Sequence, residues 1–176
     1  MKPPHAILFD RDGTLVIEAP DNADPTAVRI MPGALEALDA ARSRKIHVGV
    51  ISNQPGLAQG LLTEAAGHAV DAQVDRLLGP FDTWQVCPHG PNDGCDCRKP
   101  KPGLVLAACH ELGIEPEDVV VIGDTAADVE AATSAGAVGI LVPTRSTPRA
   151  ELDAVPRVEM TLVDAVRGVL DVEPVT

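Results

Sequence analysis

Short runs of Ile, Val and Leu alternate along the chain with longer stretches in which apolar residues recur at helical spacing, and this alternation predicts strands and helices in turn. His5–Asp10 (HAILFD), Ile46–Ser52 (IHVGVIS), Thr83–Cys87 (TWQVC), Asp118–Asp124 (DVVVIGD) and Val138–Val142 are the expected strands. Gly33–Lys45 follows Pro32 and reads as a helix with Leu35 and Leu38 on one face. Thr63–Leu78 is a helix capped by Thr63, with Glu64 in its first turn, where a carboxylate meets the positive end of the helix dipole. Leu104–Leu112 is a helix closed by Gly113, Ala126–Ser134 is another, and a last one follows Thr161. Such an order implies one α/β domain over residues 1–176, built on a doubly wound, mostly parallel, Rossmann-like sheet covered on both faces. Two irregular stretches stand out, the 22 residues from Arg11 to Pro32 and the segment that holds most of the cysteines. Long ordered loops in a compact domain tend to carry function.

In a sheet of this kind ligands bind beyond the carboxyl ends of the strands. The first expected strand ends in FDRDGTL, the second in ISNQPG and the fourth in VIGDTAAD. Asp10 and Asp12 are two apart, so on an extended chain both carboxylates point to one side. Gly13 permits a sharp turn and lets backbone N–H groups face an anion. Asp124 and Asp128 follow a glycine at another strand end, one helical turn apart. Any one of these stretches could be an ordinary turn or helix cap. Their joint placement at the strand ends of one sheet instead brings together carboxylates that would repel one another without a hard divalent cation, and oxygen ligands of this kind suit Mg²⁺.

The segment CPHGPNDGCDCRKPKPG holds Cys87, His89, Cys95 and Cys97, followed at once by Arg98 and Lys99. C-x-H-x5-C-x-C offers three thiolates and an imidazole, a closed tetrahedral set of the structural Zn²⁺ type. Cys95 and Cys97 are too close to bridge comfortably, and Pro, Gly, Asn and Asp surround the thiols, so neither a disulfide nor a buried apolar role fits. A loop at 87–97 without apolar residues cannot hold itself rigid, and metal binding supplies that order. Cys109, in LVLAACHEL, reads instead as a small core residue.

Composition narrows the partners. With a net charge of −12 and a pI near 4.6, the chain lacks the basic footprint that nucleic acid or an anionic membrane requires. An acidic chain that handles an anionic substrate must gather its few cations at one place. No apolar run approaches spanning length, and MKPPHAILFD lacks the pattern of a signal peptide. Four cysteines without a secretory signal point to the cytoplasm. Nothing demands more than a monomer.

DRDGTL, SNQ, RKPKPG and GDTAAD, in that order between Ala6 and Val142, resemble the motif series of the haloacid dehalogenase superfamily of phosphatases. Within it, the cysteine segment is similar to the zinc loop of the D-glycero-D-manno-heptose 1,7-bisphosphate 7-phosphatases and the related histidinol-phosphatases. The resemblance implies that Asp10 is a nucleophile forming an aspartyl-phosphate, with Asp12 as general acid and then base. It implies Mg²⁺ held by Asp10, by the main-chain carbonyl of Asp12 and by Asp124, with Asp128 a ligand through water or an orienting group. Ser52, Asn53 and Gln54 would bind the phosphorylated small molecule, Arg98 would grip it, and Lys99 would neutralise the phosphoryl group. Lys101 competes for the role of Lys99, and the pattern C-x-C-R-K favours Lys99. The connections after the first and second strands, about 22 and about 10 residues, fall short of the roughly 50 needed for a cap domain. The site should therefore be open, shaped by Glu18–Pro25 and the zinc loop. The short spacing from His89 to Cys95 is closer to the histidinol-phosphatase form, whereas QPGLAQG and PKPG are closer to the heptose form. Thr125 and Gln59 depart from the Lys and Arg usual in the heptose enzymes, and the chain has no Tyr. A heptose 1,7-bisphosphate is the substrate preferred, with histidinol phosphate the alternative. A phosphotransferase and a non-catalytic zinc-stabilised binding module stand as the other classes.

Overall fold

Five strands pair in parallel in the order β3-β2-β1-β4-β5, formed by β1 (Ala6–Phe9), β2 (His47–Asn53), β3 (Thr83–Cys87), β4 (Val119–Gly123) and β5 (Val138–Leu141). The structure is a computed structural model, and it describes residues 3–18 and 24–171. Burial on both faces explains why the strands read as continuous apolar runs rather than as an alternation of apolar and polar residues. Ile7, Phe9, Val48, Val50, Val120 and Ile122 face one layer, made of α1 (Ala34–Ser43), α3 (Glu64–Leu78) and α7 (Leu162–Leu170). Ala6, Leu8, Ile51, Val119 and Val121 face the other layer, made of α4 (Gly103–Leu112) and α5 (Ala126–Ala135). The fold is thus the doubly wound α/β sheet that the sequence implies.

Register sets the strand ends against one another. Phe9 lies opposite Val50 on one side and Ile122 on the other, so the chain leaves β1 and β4 at nearly matching heights, while β2 runs on three residues to Asn53 beside Cys87 of β3. The chain fills one flank of β1 with β2 and β3 before returning to the other flank with β4. The crevice beside β1 is therefore the switch point at which such sheets bind ligands.

Most elements follow their local signals. Thr63 Oγ1 accepts a hydrogen bond from the Ala66 N–H (3.1 Å), and Gly113 closes α4 in the left-handed conformation. One face is corrected. Leu35 is 46% exposed, and α1 instead buries Ala34, Ala37, Leu38 and Ala41. That set has the true helical spacing, and its alanines let α1 lie close to the sheet. Two short helices escape sequence reading, α2 (Pro55–Ala58) and α6 (Arg149–Ala154), because neither completes enough turns to show a period. Pro55 does sit where proline favours a helix start.

Among the described residues nothing like a cap domain interrupts the sheet. A 3-10 turn at Pro25–Ala27 lies between β1 and α1, and the four-residue α2 lies between β2 and α3. Of the loop expected to shape the site at Glu18–Pro25, residues 19–23 fall outside the described residues. Among the described residues no helix is long and apolar enough to cross a membrane.

α5 packs against β5 without an intervening side chain. A Cβ placed on Gly139 would come within 2.7 Å of the Val129 Cα and 3.0 Å of its carbonyl oxygen. Gly139→Ala is expected to push α5 off the sheet and to cost about 1–3 kcal/mol of stability, read as a lower urea midpoint at unchanged slope. A midpoint within error of the parent would show that α5 has room to move.

Candidate active site

One ammonium organises the carboxyl end of the sheet. Lys99 is buried, and its Nζ lies 2.8 Å from Asp10 Oδ1, 2.5 Å from Asp128 Oδ1 and 3.1 Å from the carbonyl of Ile51. All three of its protons are thereby placed, on the ends of β1 and β2 and on the first turn of α5. Its main chain is fixed as well. Asn53 Nδ2 donates to the Lys99 carbonyl and Asn53 Oδ1 accepts from the Lys99 N–H, both at 3.1 Å. Asn53, expected to face phosphate, has both ends of its amide on this backbone.

Three carboxylates surround that ammonium. Ligand oxygens of Asp10, Asp124 and Asp128 lie within 4.8 Å of one another. Burial, together with the Asp128 charge, outweighs the pull of Lys99 and raises the Asp10 pKa to about 7. Burial and Asp128 likewise push Asp124 up to about 7. Burial works against the charge on Lys99, but Asp10 and Asp128 more than offset it, so its pKa rises. Three acids against one base leave an excess of negative charge that protons or a cation must balance. The donor set is all oxygen and anionic, which suits a hard divalent ion such as Mg²⁺.

The three acids are not equivalent. Asp128 accepts from Lys99 at Oδ1, and at Oδ2 from both the N–H (3.1 Å) and the hydroxyl (2.7 Å) of Thr125. Both its oxygens already serve to cap α5 and to hold Lys99. Asp10 Oδ1 accepts from Lys99 and from the Arg11 N–H (2.8 Å), which anchors one of its oxygens. Two glycines make room for these groups. A Cβ on Gly13 would overlap the Asp124 carboxylate, and one on Gly123 would overlap that of Asp128.

Beyond β1 the chain turns instead of continuing extended, so Asp12 does not reach its place by strand alternation. Gly13 adopts φ 84°, and the N–H groups of Leu15 and Val16 both donate to the Arg11 carbonyl. The Gly13 N–H donates to the carbonyl of Val16 (2.8 Å) and so closes the sharp turn that Gly13 permits. Asp12 Oδ2 accepts from Arg11 Nε (3.1 Å), Arg11 Nη2 (2.8 Å) and Gln54 Nε2 (2.7 Å). Gln54 Nε2 also lies 2.7 Å from Ser52 Oγ, so Gln54 and Ser52 form one chain of contacts ending on Asp12. Arg11 itself is wholly buried and is held from α3 by Asp71, 2.6 Å from its Nη1. Sequence reading passes over Arg11 and Asp71. The available signal was that, if Asp10 and Asp12 face the crevice, the arginine between them must find a partner elsewhere.

The cysteine segment gathers as its spacing implies. Cys87 Sγ lies 3.6 Å from His89 Nδ1, 3.7 Å from Cys95 Sγ and 3.0 Å from Cys97 Sγ, and His89 Nδ1 lies 3.3 Å from Cys97 Sγ. Tetrahedral zinc would set these edges at about 3.8 Å between sulfurs and about 3.5 Å between sulfur and nitrogen. The four residues could therefore hold a metal with little movement. Burial and the neighbouring Cys87 and Cys95 thiols push Cys97 up to about 12, a cost that a bound cation would remove. Cys109 stays in the core of α4. Arg98 donates from Nη1 to the His89 carbonyl (3.2 Å). Lys101 Nζ turns to the Cys95 carbonyl (2.6 Å) and to Asp96, so Lys99 and not Lys101 reaches the carboxylates.

Comparison with known proteins gives these groups a context. A family model described as a haloacid dehalogenase-like hydrolase matches residues 20–136. The D-glycero-beta-D-manno-heptose-1,7-bisphosphate 7-phosphatase of Pseudomonas putida is 34% identical over 162 residues, covering 89% of this chain and 91% of that protein. The enzyme of the same name from Escherichia coli K12 is 32% identical and covers 83% of this chain and 84% of its own length. The crystal structure of D,D-heptose 1,7-bisphosphate phosphatase from B. bronchiseptica, complexed with magnesium and phosphate, superposes with a TM-score of 0.85 at 31% identity. That match covers 94% of this chain and 97% of the other.

The charge imbalance has a pH signature. A carboxyl whose pKa is raised by folding holds its proton more tightly in the folded state, so its contribution to stability is present at low pH. That contribution is lost as pH rises from the ordinary carboxyl value of 3.8 through about 7. Without added Mg²⁺, the parent is expected to lose about 1–2 kcal/mol relative to Asp124→Asn between about pH 5 and about pH 8. Urea melts of the two proteins at both pH values measure this. Parallel pH dependences would mean that Asp124 keeps its charge throughout.

Proposed function

Because the chain belongs to the haloacid dehalogenase-like hydrolases and is a phosphatase, we propose that it removes the 7-phosphate of a D-glycero-D-manno-heptose 1,7-bisphosphate through an aspartyl-phosphate on Asp10. The observation that carries the reading is the arrangement of Asp10 and Asp12 at the end of β1, with Lys99 anchoring one oxygen of Asp10. The substrate assignment rests on the heptose 7-phosphatase relatives, which align over most of the chain.

Asp10 Oδ1 is fixed by Lys99 and the Arg11 N–H, so Oδ2 turns to phosphorus. As the Oδ2–P bond forms, the P–O bond to the sugar breaks, and the proton of the Asp12 carboxyl passes to the departing alkoxide. Water then attacks phosphorus, the Asp12 carboxylate takes its proton, and the bond from Asp10 to phosphorus breaks to release phosphate. Asp10 and Asp124 with the Asp12 carbonyl would hold Mg²⁺, and Asp128 orients Lys99 from behind. The bound ion supplies neutralisation of charge on the phosphoryl oxygens. Lys99 adds to that neutralisation through its charge, since its protons already bond Asp10, Asp128 and Ile51. Ser52 and Arg98 complete the phosphate site.

Zn²⁺ on Cys87, His89, Cys95 and Cys97 is structural in this reading. The last ligand lies two residues before Lys99, so the zinc loop sets where Lys99 enters the site. The rest of the substrate faces a hollow of about 780 Å³ beside Gly13 and Thr14, walled by Ile17, Met31, Val142 and Met160 with Arg145 among its lining residues. The reading extends to a cytoplasmic monomer, which the thiol-rich metal set supports by calling for a reducing compartment.

Phosphate release with Mg²⁺ from heptose 1,7-bisphosphate and from histidinol phosphate, compared as kcat/KM, tests the substrate. A preference of about 100-fold for the heptose is expected, about 2.7 kcal/mol of transition-state discrimination. Comparable rates on both would sink the assignment, and full activity in Asp10→Asn would sink the mechanism. Zinc is tested separately by elemental analysis. One zinc per chain is expected, with loss of zinc in Cys97→Ser and a fall in kcat larger than any change in KM, because Lys99 loses its anchor. A Cys97→Ser protein with unchanged kcat would remove the link between loop and site.

A further inference from the structure

The side chain of Arg11 has no part in the roles assigned so far, yet it is the largest of the fully buried side chains and carries a charge. Burial of an unpaired guanidinium would be strongly destabilising, so its partners must account for its presence. Nε and Nη2 form a two-pronged contact on one oxygen of Asp12, at 3.1 and 2.8 Å, and Nη1 meets Asp71 of α3 at 2.6 Å. Burial opposes the charge, but Asp12 and Asp71 more than offset it and keep Arg11 a cation. Gln54 adds a third donor to the same Asp12 oxygen. Behind the pair lies a cavity of about 280 Å³, to whose lining Glu64 and His68 of α3 also contribute.

We propose that Arg11 and Asp71 are positioning residues that fix which oxygen of Asp12 exchanges its proton with the substrate. The inference rests on the reading of Asp12 as the acid. Three donors converge on Oδ2, and an O–H there would collide with their hydrogens, so the mobile proton is confined to Oδ1. The guanidinium fork and Gln54 together fix where Oδ2 sits, and Asp71 ties that fork to the frame of α3. A small rotation of a misheld acid is enough to spoil transfer to the leaving oxygen. Lys99 and the Arg11 N–H hold Asp10, whereas Asp12 is held by the Arg11 guanidinium, which Asp71 of α3 anchors, and by Gln54.

The test uses a contrast in leaving groups. Phenyl phosphate requires a proton on its departing oxygen, and p-nitrophenyl phosphate does not. kcat/KM covers only the steps up to departure, so it isolates the acid role from the later role as base. Arg11→Met combined with Asp71→Leu removes both charges at similar volume and is chosen to preserve folding. Arg11→Lys keeps a cation opposite Asp71 but cannot form the fork, and it serves if the double variant fails to fold. For either, kcat/KM on phenyl phosphate is expected to fall about 100-fold, and on p-nitrophenyl phosphate by less than about 10-fold, with KM little changed. Equal losses on both substrates, or no loss on either, overturn the proposal, because a merely structural defect does not distinguish leaving groups. Asp12→Asn is run alongside. If it lacks the contrast, the reading of Asp12 as acid fails. If it shows the contrast while the Arg11 variants do not, the positioning role alone is overturned.

Discussion

A single buried ammonium holds the working end of this protein together. Lys99 joins β1 through Asp10, β2 through the Ile51 carbonyl and α5 through Asp128, three elements far apart in sequence. Its position depends in turn on backbone held by Asn53 and follows directly on a loop in which cysteine and histidine side chains gather. Burying a lysine is tolerable only where acids surround it, and burying three acids is tolerable only where cations do. Neither half of the cluster could persist alone. Its cohesion is ionic, unlike the aliphatic core a few ångströms below it.

That contrast explains what could be read in advance. The strands are legible because both sheet faces are buried, and the helices because α3, α4 and α7 show their period over two turns or more. The cysteine cluster is legible because its four residues fall within eleven positions, from Cys87 to Cys97. Asp10, Asp124 and Lys99 could be nominated from strand ends and motif order. Their mutual distances could not be read, since those depend on register between strands separated by dozens of residues.

The misses have physical causes too. Asn53 and Gln54 carry amides that can face a ligand or brace a neighbour, and residue type does not distinguish the two. Here Asn53 braces Lys99 and Gln54 reaches Asp12. Leu35 illustrates a second cause. A large apolar residue outweighs three alanines to the eye, yet the helix buries the alanines because close approach to the sheet rewards small side chains. Arg11 illustrates a third, since its partner Asp71 lies sixty positions away on an amphipathic helix whose charges all look solvated in sequence.

The order of the strands carries a consequence for how such a protein can change. The clustered carboxylates leave β1 and β4, and the amides of Asn53 and Gln54 leave β2, all at the centre of the sheet, where each neighbour constrains the next. The two edges are different. β3 runs into the cysteine loop, and β5 runs into the segment from Val142 to Ser146 that walls the larger hollow. An edge strand can lengthen, swap or reshape the loop it feeds while the centre keeps its spacing. Inheritance can therefore rewrite what the molecule recognises from the margins inward, leaving the reaction at its middle untouched, and a designer seeking a new substrate should begin at those same margins.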